Sequence, residues 1–361
     1  MDAITAIMLV FSVLGALDRL LDNRFGLGRE FEKGFMLLGP LAVSIIGMIV
    51  LAPWLANMLE PALDWVHVNI GIDPSTITSA IFANDMGGGA LAREVAADEK
   101  LGMFNGLVVA SMMGVTVSFT IPFALSAVNR AQHRPLLLGM LCGVVTIPVG
   151  CFAGGFVQGI PADVLMLNML PLIVLSLVLG AGLLLFPDVC TRIFGLLGKL
   201  IQMLITAGLA LSIIRFLSGR EILPGLATIE EGGLICLNAA IVMSGAFPLL
   251  FVLSRLLKKP IAALSGKMGI NEASAMGFIS SLANSMTTFE QMKDMDDKGV
   301  MLNSAFAVSA AFVLGDHLAF TIAMDGAFVP GMMVGKLISG ILAVAAAIFL
   351  HGRIEQKRTK G

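Results

Sequence analysis

Nine mostly apolar stretches run through the whole chain. Each is roughly 17 to 25 residues long, the length at which a helix crosses the hydrocarbon core of a bilayer. Charged residues make up 13% of the sequence, about half the share found in soluble domains. We therefore predict an all-α polytopic membrane protein with about nine spanning helices. The predicted spans are residues 3–17, 36–58, 102–127, 136–158, 164–186, 193–216, 233–253, 300–323 and 332–350.

Composition and motifs exclude several functional classes. The net charge of −2 does not fit the basic surface of a nucleic-acid-binding protein. The sequence has no H-E-x-x-H, no G-x-S-x-G and no P-loop. It also has no tyrosine, so the Tyr-Asp motif of an intramembrane aspartyl protease is absent. The histidines lack metal-ligand spacing, and the four cysteines form no C-x-x-C motif. We expect neither an enzyme nor a metal site or cofactor.

Two weaker apolar segments, residues 74–95 and 272–292, decide the topology. If both enter the membrane and return on the same side, the basic loops at 18–33 and 128–134 and the basic tail at 352–361 share the cytoplasmic side. If the first segment spans instead, the loop at 128–134 falls outside. The positive-inside rule favours two re-entrant hairpins, with the N-terminus outside and the C-terminus cytoplasmic. Arg215 and Arg220 are exceptions, because this topology places them outside. The basic residues around the second hairpin that support this orientation are Arg255, Lys258, Lys259, Lys267, Lys293 and Lys298.

The two weaker segments resemble each other and indicate an internal repeat. The matching residues are Gly71-Ile72-Asp73 with Gly269-Ile270-Asn271, Ala83-Asn84-Asp85-Met86 with Ala283-Asn284-Ser285-Met286, Asn105 with Asn303, and Ser111 with Ser309. Five predicted spans lie between the hairpins, and an odd number inverts the second copy, as in many secondary transporters. The predicted units are a first repeat at 1–160, a connecting span at 161–188, an inverted repeat at 189–351 and the tail at 352–361.

Backbone chemistry explains why each segment would form a hairpin. Asp73 before Pro74 and Asn271 before Glu272 are expected N-caps of short helices. Each helix then meets turn-prone residues near its Asn-x-Met motif. A broken helix leaves amides and carbonyls unpaired, which a bilayer tolerates only where they are buried in protein or line a water-filled cavity.

Asp85 and Asp316 are the candidate ligands for a cation. Asp85 lies at the turn of the first hairpin, where a carboxylate is costly unless it is paired or hydrated. It either binds a monovalent cation or merely caps the turn. Asp316, beside His317, either binds a cation or relays protons, or it lies in a solvated mouth near the outer end of its span.

Amide and hydroxyl side chains complete the predicted substrate site. They suit either a ligand hydroxyl group or the helix breaks themselves. Phenylalanines near the hairpins could contact an ammonium group, although core packing is the better explanation for each. The polar candidates are Asn84, Asn284, Ser285, Thr287, Thr288, Asn105 and Asn303, and the phenylalanines are Phe82, Phe289 and Phe320.

Small residues crowd the predicted fourth span. Glycine pairs of the G-x-x-x-G type stand at Gly139/Gly143 and Gly150/Gly154. Such pairs let helices approach closely, either within one chain or between the protomers of a homo-oligomer.

The runs at 83–94 and 280–290 resemble the ethanolamine utilisation permease family, EutH, and the resemblance covers the whole chain. It implies a bacterial cytoplasmic-membrane protein that admits ethanolamine, mainly when the amine is protonated. The resemblance supplies this substrate; the composition does not. The alternatives are a cation-coupled secondary transporter of another small polar solute and a membrane sensor or scaffold that transports nothing.

Overall fold

The computed structural model describes residues 3–360, except for the side chains at 258–259, 261–264 and 357–360. Several basic residues used for the predicted orientation, among them Lys258, Lys259 and those of the tail from 357 onward, therefore lie outside the described side chains. The described part is helical and contains no strand. Its α-helices are α1 Ala3–Leu20, α2 Leu27–Met36, α3 Leu38–Ile70, α4 Pro74–Ser79, α5 Gly89–Val95, α6 Glu99–Phe104, α7 Ile121–Ala127, α8 His133–Val157, α9 Ala162–Leu185, α10 Pro187–Ser218, α11 Ile229–Met268, α12 Glu272–Ala283, α13 Ser285–Gln291, α14 Asp297–Ala310, α15 Asp316–Asp325 and α16 Val329–Lys360.

Eight helical stretches among the described residues are long and apolar enough to cross a membrane. Each overlaps one of the nine predicted spans, so the prediction of an all-α polytopic membrane protein is confirmed. Large apolar side chains along α9 and α10, such as Leu177 and Met203, stay exposed on the molecular surface. An apolar surface of this extent suits contact with lipid chains.

The predicted span at 300–323 is not one continuous helix. α14 ends at Ala310, and α15 begins at Asp316. Between them, the amides of Phe312 and Leu314 donate to the carbonyls of Ser281 and Leu282, at 2.9 Å each. Hydropathy cannot reveal this break, because the freed amides are satisfied by a distant segment rather than by water.

The matching stretch of the first half stays helical but is widened. Residues Asn105–Gly114 and Thr116–Thr120 adopt π-helical turns between α6 and α7. Wide turns of this kind are frequent at functional sites. Thr116 lies in this stretch and donates to the carbonyl of Val308 in α14 at 3.0 Å. The two distorted helices therefore touch where each departs from regular geometry.

The first weak segment begins and ends at the same place. One carboxylate oxygen of Asp73 accepts from the amide of Ser75 at 2.9 Å, which confirms the predicted N-cap. The other oxygen accepts from the amides of Ala97 and Asp98, at 3.1 and 3.0 Å. One side chain thus joins the start of α4 to the end of α5.

The second weak segment closes in the same way. The side-chain oxygen of Asn271 accepts from the amide of Ser274 at 2.9 Å, as the predicted cap requires. Its side-chain nitrogen donates to the carbonyl of Asp294 at 2.9 Å. Ser274 also donates to Asp296 at 2.7 Å. The beginning of α12 and the turn after α13 are therefore held together.

The bases of these two segments lie at opposite ends of α8. Gln132, just before α8, donates to the carbonyl of Met292 at 2.8 Å, beside the base of the second segment. Lys100, just after the first segment, donates to the carbonyl of Gly159 at 3.4 Å, beyond the other end of α8. The 25 residues of α8 separate the bases by about 37 Å at the rise of an α-helix.

Helix packing divides the described helices into two groups. α1, α2, α3, α10 and α11 pack together, while α8 packs with α9, α14 and α16. The predicted glycine pairs of α8 face helices of the same chain. A Cβ at Gly139 would overlap Met301, and one at Gly150 would meet the carbonyl of Gly335. The close packing expected of these glycines is therefore found within the chain.

We predict that Gly114→Ala destabilises the protein. A Cβ at Gly114 would overlap the carbonyl oxygen of Phe82, and backbone cannot move aside as a flexible side chain can. Overpacking of this kind costs about 1–3 kcal/mol. In thermal unfolding in detergent, Gly114→Ala should have a lower Tm than Gly195→Ala, because a Cβ at Gly195 would have no described atom within 4 Å outside its own stretch of helix. Equal Tm values would contradict this contact.

We also predict that Lys100→Cys and Lys293→Cys react with a membrane-impermeant maleimide from opposite sides of the membrane. Both lysines are exposed, each beside the base of one weak segment. The native chain is the control, because its four cysteines are free and buried. Labelling of both variants from one side would contradict the opposed placement.

Candidate functional site

The turns of both weak segments converge on the break between α14 and α15. A Cβ at Gly315 would overlap the carbonyl of Ala283, so the turn of the second segment lies against the end of the break. Asp316 follows at once and lies close enough to Asp85, in the first turn, for the two charges to interact. The polar backbone and the two candidate carboxylates are thus brought together.

Asp85 owes its position to an abrupt turn. Ala83 is extended, and Gly87 adopts φ +97°, which favours glycine because a Cβ is strained there. The side chain of Asp85 is 20% exposed, and its Oδ1 lies 4.0 Å from Nε2 of His317. The carboxylate therefore lies near α15, and the amides of Asp85 and Met86 also lie close enough to interact with it, as a local cap would require.

Lys336 is the charged residue that the sequence analysis missed. It lies in α16, and none of its surface is exposed. Its Nζ donates to the carbonyl of Ser111 at 2.5 Å and lies 3.0 Å from Nδ1 of His317. A lone lysine in the apolar run at 332–350 was itself the signal, because an ionisable residue inside a span is a functional candidate by default.

His317 connects the buried cation to the carboxylate. It is 1% exposed, and its ring packs against Phe312 with centroids 4.9 Å apart. A charged Lys336 has only hydrogens to offer, so Nδ1 accepts and the neutral ring carries its proton on Nε2. Nε2 lies 4.0 Å from Oδ1 of Asp85, close to the carboxylate but beyond direct hydrogen-bond distance. This tautomer is inferred from the hydrogen-bond partners.

The formal charges of the centre do not cancel. Asp85 and Asp316 contribute two negative charges, Lys336 contributes one positive charge, and a neutral His317 contributes none. With both carboxylates and the lysine ionised, the formal sum is −1. Lys336 and His317 are buried and the two aspartates are half-buried, so an uncompensated charge there is costly. A single monovalent cation would balance it.

Two buried polar groups at the turns have no hydrogen-bond partner among the described residues. Asn84 is fully buried, and neither its side-chain oxygen nor its nitrogen is paired. Ser285 is also fully buried, and its hydroxyl is unpaired. Buried polar groups are nearly always satisfied. These two therefore have unused capacity for the polar groups of a ligand.

Other predicted site residues hold the segments in shape. Asn105 donates to Ser75 and Thr76 at 2.8 and 2.9 Å, and Asn303 donates to the carbonyl of Ser274 at 2.7 Å. Both amide nitrogens thus serve the bases rather than the turns. The side-chain oxygens of Asn105 and Asn303 are unpaired.

The remaining candidates of the second segment differ in role. Asn284 accepts from the amide of Met286 at 2.8 Å and so caps α13. Thr288 accepts from Ser281 at 2.9 Å and donates to the carbonyl of Gly277 at 3.2 Å, joining α12 to α13. Thr287, in contrast, is exposed.

The phenylalanines fit the packing interpretation. Phe289 and Phe320 are each 1% exposed. Phe289 lies 6.3 Å from the ring of Phe123, and Phe320 packs against Gly89. Phe82 is half-buried.

Residues 1–350 match the protein family described as "Ethanolamine utilisation protein, EutH". The chain belongs to the EutH family. A "Probable ethanolamine permease EutH" from Listeria monocytogenes is 41% identical over 99% of this chain and 95% of its own length. One of the same description from Escherichia coli is 36% identical over 99% of this chain and 97% of its own. The "Uncharacterized protein YxeR" of Bacillus subtilis is 38% identical over 99% and 97%. No solved structure matches.

Membership in the EutH family confirms the resemblance stated from the two sequence runs. The relatives described as permeases, together with the membrane-length helices, make this chain a multi-pass membrane transporter and not an enzyme. The charged centre is therefore interpreted as part of a transport route.

We predict different effects for two neighbouring threonines. Thr288→Val should lower the Tm, because it removes the hydrogen bonds that join α12 to α13, at a cost of about 1–3 kcal/mol for buried partners left unpaired. Thr287→Val should leave the Tm unchanged. Thermal unfolding in detergent compares the two variants directly. Equal Tm values would show that the hydrogen bonds of Thr288 do not stabilise the protein.

Proposed function

We propose that this EutH-family chain is a permease for protonated ethanolamine in the bacterial cytoplasmic membrane. The observation that carries the proposal is a centre of two carboxylates and one buried lysine, beside two buried polar groups that have no partner among the described residues. Fully ionised, this centre has a formal charge of −1. Protonated ethanolamine has one positive charge and one hydroxyl group. The relatives described as probable ethanolamine permeases supply the substrate.

Asp85 is the proposed ligand of the ammonium group. Its carboxylate is partly exposed, whereas Lys336 is fully enclosed and hydrogen-bonded. Asp316 lies within electrostatic range of Asp85 and adds negative potential. An ammonium ion held between carboxylates forms charge-assisted hydrogen bonds, which are stronger than neutral ones.

Asn84 and Ser285 are the proposed ligands of the hydroxyl group. Both are buried and unpaired among the described residues, and each stands at the turn of one segment. An amide and a hydroxyl can both donate and accept, so they suit a hydroxyl that does the same. A solute without the hydroxyl would leave them unsatisfied.

The proposed architecture is an inverted repeat with two re-entrant hairpins that enter from opposite leaflets. Equivalent contacts support it. Asn105 donates to the hydroxyl of Thr76, and Asn303 donates to the carbonyl of Ser274, the residue at the matching position. Each turn also lies against a glycine of its distorted helix, Gly114 or Gly315. The proposed units remain 1–160, 161–188 and 189–351, with the N-terminus outside and the tail at 352–361 cytoplasmic.

A second candidate function is cation-coupled transport of another small polar solute. The nearness of two carboxylates favours it, because one could serve an ion and the other the solute. Counterflow of labelled ethanolamine against amines, amino acids and nucleosides distinguishes the candidates. Ethanolamine should compete far better than the others if the first proposal holds.

We predict that Asp85→Asn abolishes most uptake of labelled ethanolamine into proteoliposomes. The substitution preserves size but removes the charge that pairs with the ammonium group. Loss of a buried charge partner costs about 3–5 kcal/mol, so the rate should fall by at least about 100-fold at low substrate. Asp163→Asn, which changes an exposed carboxylate in the first turn of α9, is the matched control and should transport normally.

Wild-type uptake by a folded Asp85→Asn protein would remove Asp85 from the site. The size-exclusion profile and Tm of both variants must match the native protein, so that a transport defect is not mistaken for misfolding. Failure of the native chain to transport ethanolamine under any gradient would overturn the proposed function itself.

A further inference from the structure

Lys336 occupies a position that resembles the binding site of a small cation. Its Nζ lies between a backbone carbonyl, that of Ser111, and a ring nitrogen of His317. Backbone carbonyls of distorted membrane helices also coordinate alkali metal ions. The carbonyl comes from the π-helical stretch Asn105–Gly114, so the lysine binds at a departure from α-helical geometry.

Lys336 is held in place by the packing of its own helix. The neighbouring Gly335 lies against Gly150 of α8, so the two backbones approach closely beside the lysine. The side chain is fully buried and reaches across to a carbonyl of the first half of the chain. Among the described residues it forms no ion pair within 4 Å. His317 lies between Lys336 and Asp85, in contact with the lysine and 4.0 Å from the carboxylate.

We propose that Lys336 is a tethered cation that stands in for a co-transported metal ion. Uptake of the amine then needs no sodium, and the amine crosses alone with its charge. The proposal rests on the function proposed above and deepens it by assigning the ion dependence. It follows from the charge sum: the lysine neutralises one of two carboxylates and leaves a single negative charge for the substrate.

A permanent cation also keeps the centre from carrying a second unbalanced charge. With two carboxylates and no lysine, the centre would carry −2, and one ammonium ion would leave it charged and buried. A metal ion could balance the second charge but would have to be bound in each cycle. A lysine supplies that charge permanently, and through its contact with Nδ1 it leaves the proton of His317 on Nε2, 4.0 Å from Asp85.

The first test measures the ion dependence of the native protein. Ethanolamine uptake into proteoliposomes is compared in potassium buffer with and without external sodium, and at zero and inside-negative membrane potential. Ion coupling typically changes affinity by about 5- to 150-fold. Rates with and without sodium should therefore agree within about twofold, and the negative potential should raise uptake. A requirement for sodium would overturn the inference but leave the proposed function intact.

The second test removes the tethered charge. Lys336→Met should lower uptake in sodium-free buffer by at least about tenfold, because it leaves two carboxylates unbalanced. Added sodium or lithium, or the further change Asp316→Asn, should restore part of that loss. Lys199→Met, which changes an exposed lysine of α10, is the matched control and should match the native protein in both buffers.

The outcomes separate a charge role from a structural one. Rescue by an alkali ion or by Asp316→Asn supports the tethered cation, because neither treatment repairs a packing defect. A folded Lys336→Met protein that transports normally without sodium, or that responds to neither treatment, would overturn the inference. If Lys336→Met does not fold, the ion dependence of the native protein decides the question. Absence of any ethanolamine uptake by the native protein would instead count against the proposed function.

Discussion

The need to satisfy every interior backbone group governs this structure. A bilayer core offers no water to amides and carbonyls released by a broken helix. The break between α14 and α15 is satisfied by the last turn of α12, where the amides of Phe312 and Leu314 donate to the carbonyls of Ser281 and Leu282. The turn near Asp85 is closed locally, because the amides of Met86 and Gly88 both donate to the carbonyl of Ala83. The two irregular parts lie side by side, since Phe320 of α15 packs against Gly89, and the polar side chains attached to them therefore gather.

The charged residues of the candidate site lie where the two matching parts of the sequence differ. Asp85 corresponds to Ser285, Asp316 to Ser118, and Lys336 to an apolar leucine of the first half by the same spacing. Residues with equivalent contacts in both halves, such as Asn105 and Asn303, hold the segments in shape. A repeat that kept the contacts and changed the charges would preserve the scaffold while building one asymmetric centre.

Sequence reasoning found the scaffold more readily than the centre. Apolar length predicted the membrane helices, and the caps at Asp73 and Asn271 followed from local chemistry alone. The break after α14 escaped notice because its run is apolar, and its hydrogen bonds come from residues about thirty positions away. Asp85 and Asp316 were recognised as charges in apolar surroundings. Lys336 carried the same signal but had no matching residue in the repeat to draw attention to it.

The charge of the centre links recognition to movement if the proposed assignments hold. With both carboxylates and Lys336 ionised, the empty centre has a formal charge of −1, and enclosing it in low dielectric is unfavourable. A bound ammonium ion makes the sum zero, so closure of the site around the substrate costs less than closure of the empty site. A neutral solute of the same size would gain no such advantage. A difference in affinity between open and closed states is what a ligand needs to shift a conformational equilibrium, and here the charge balance provides it.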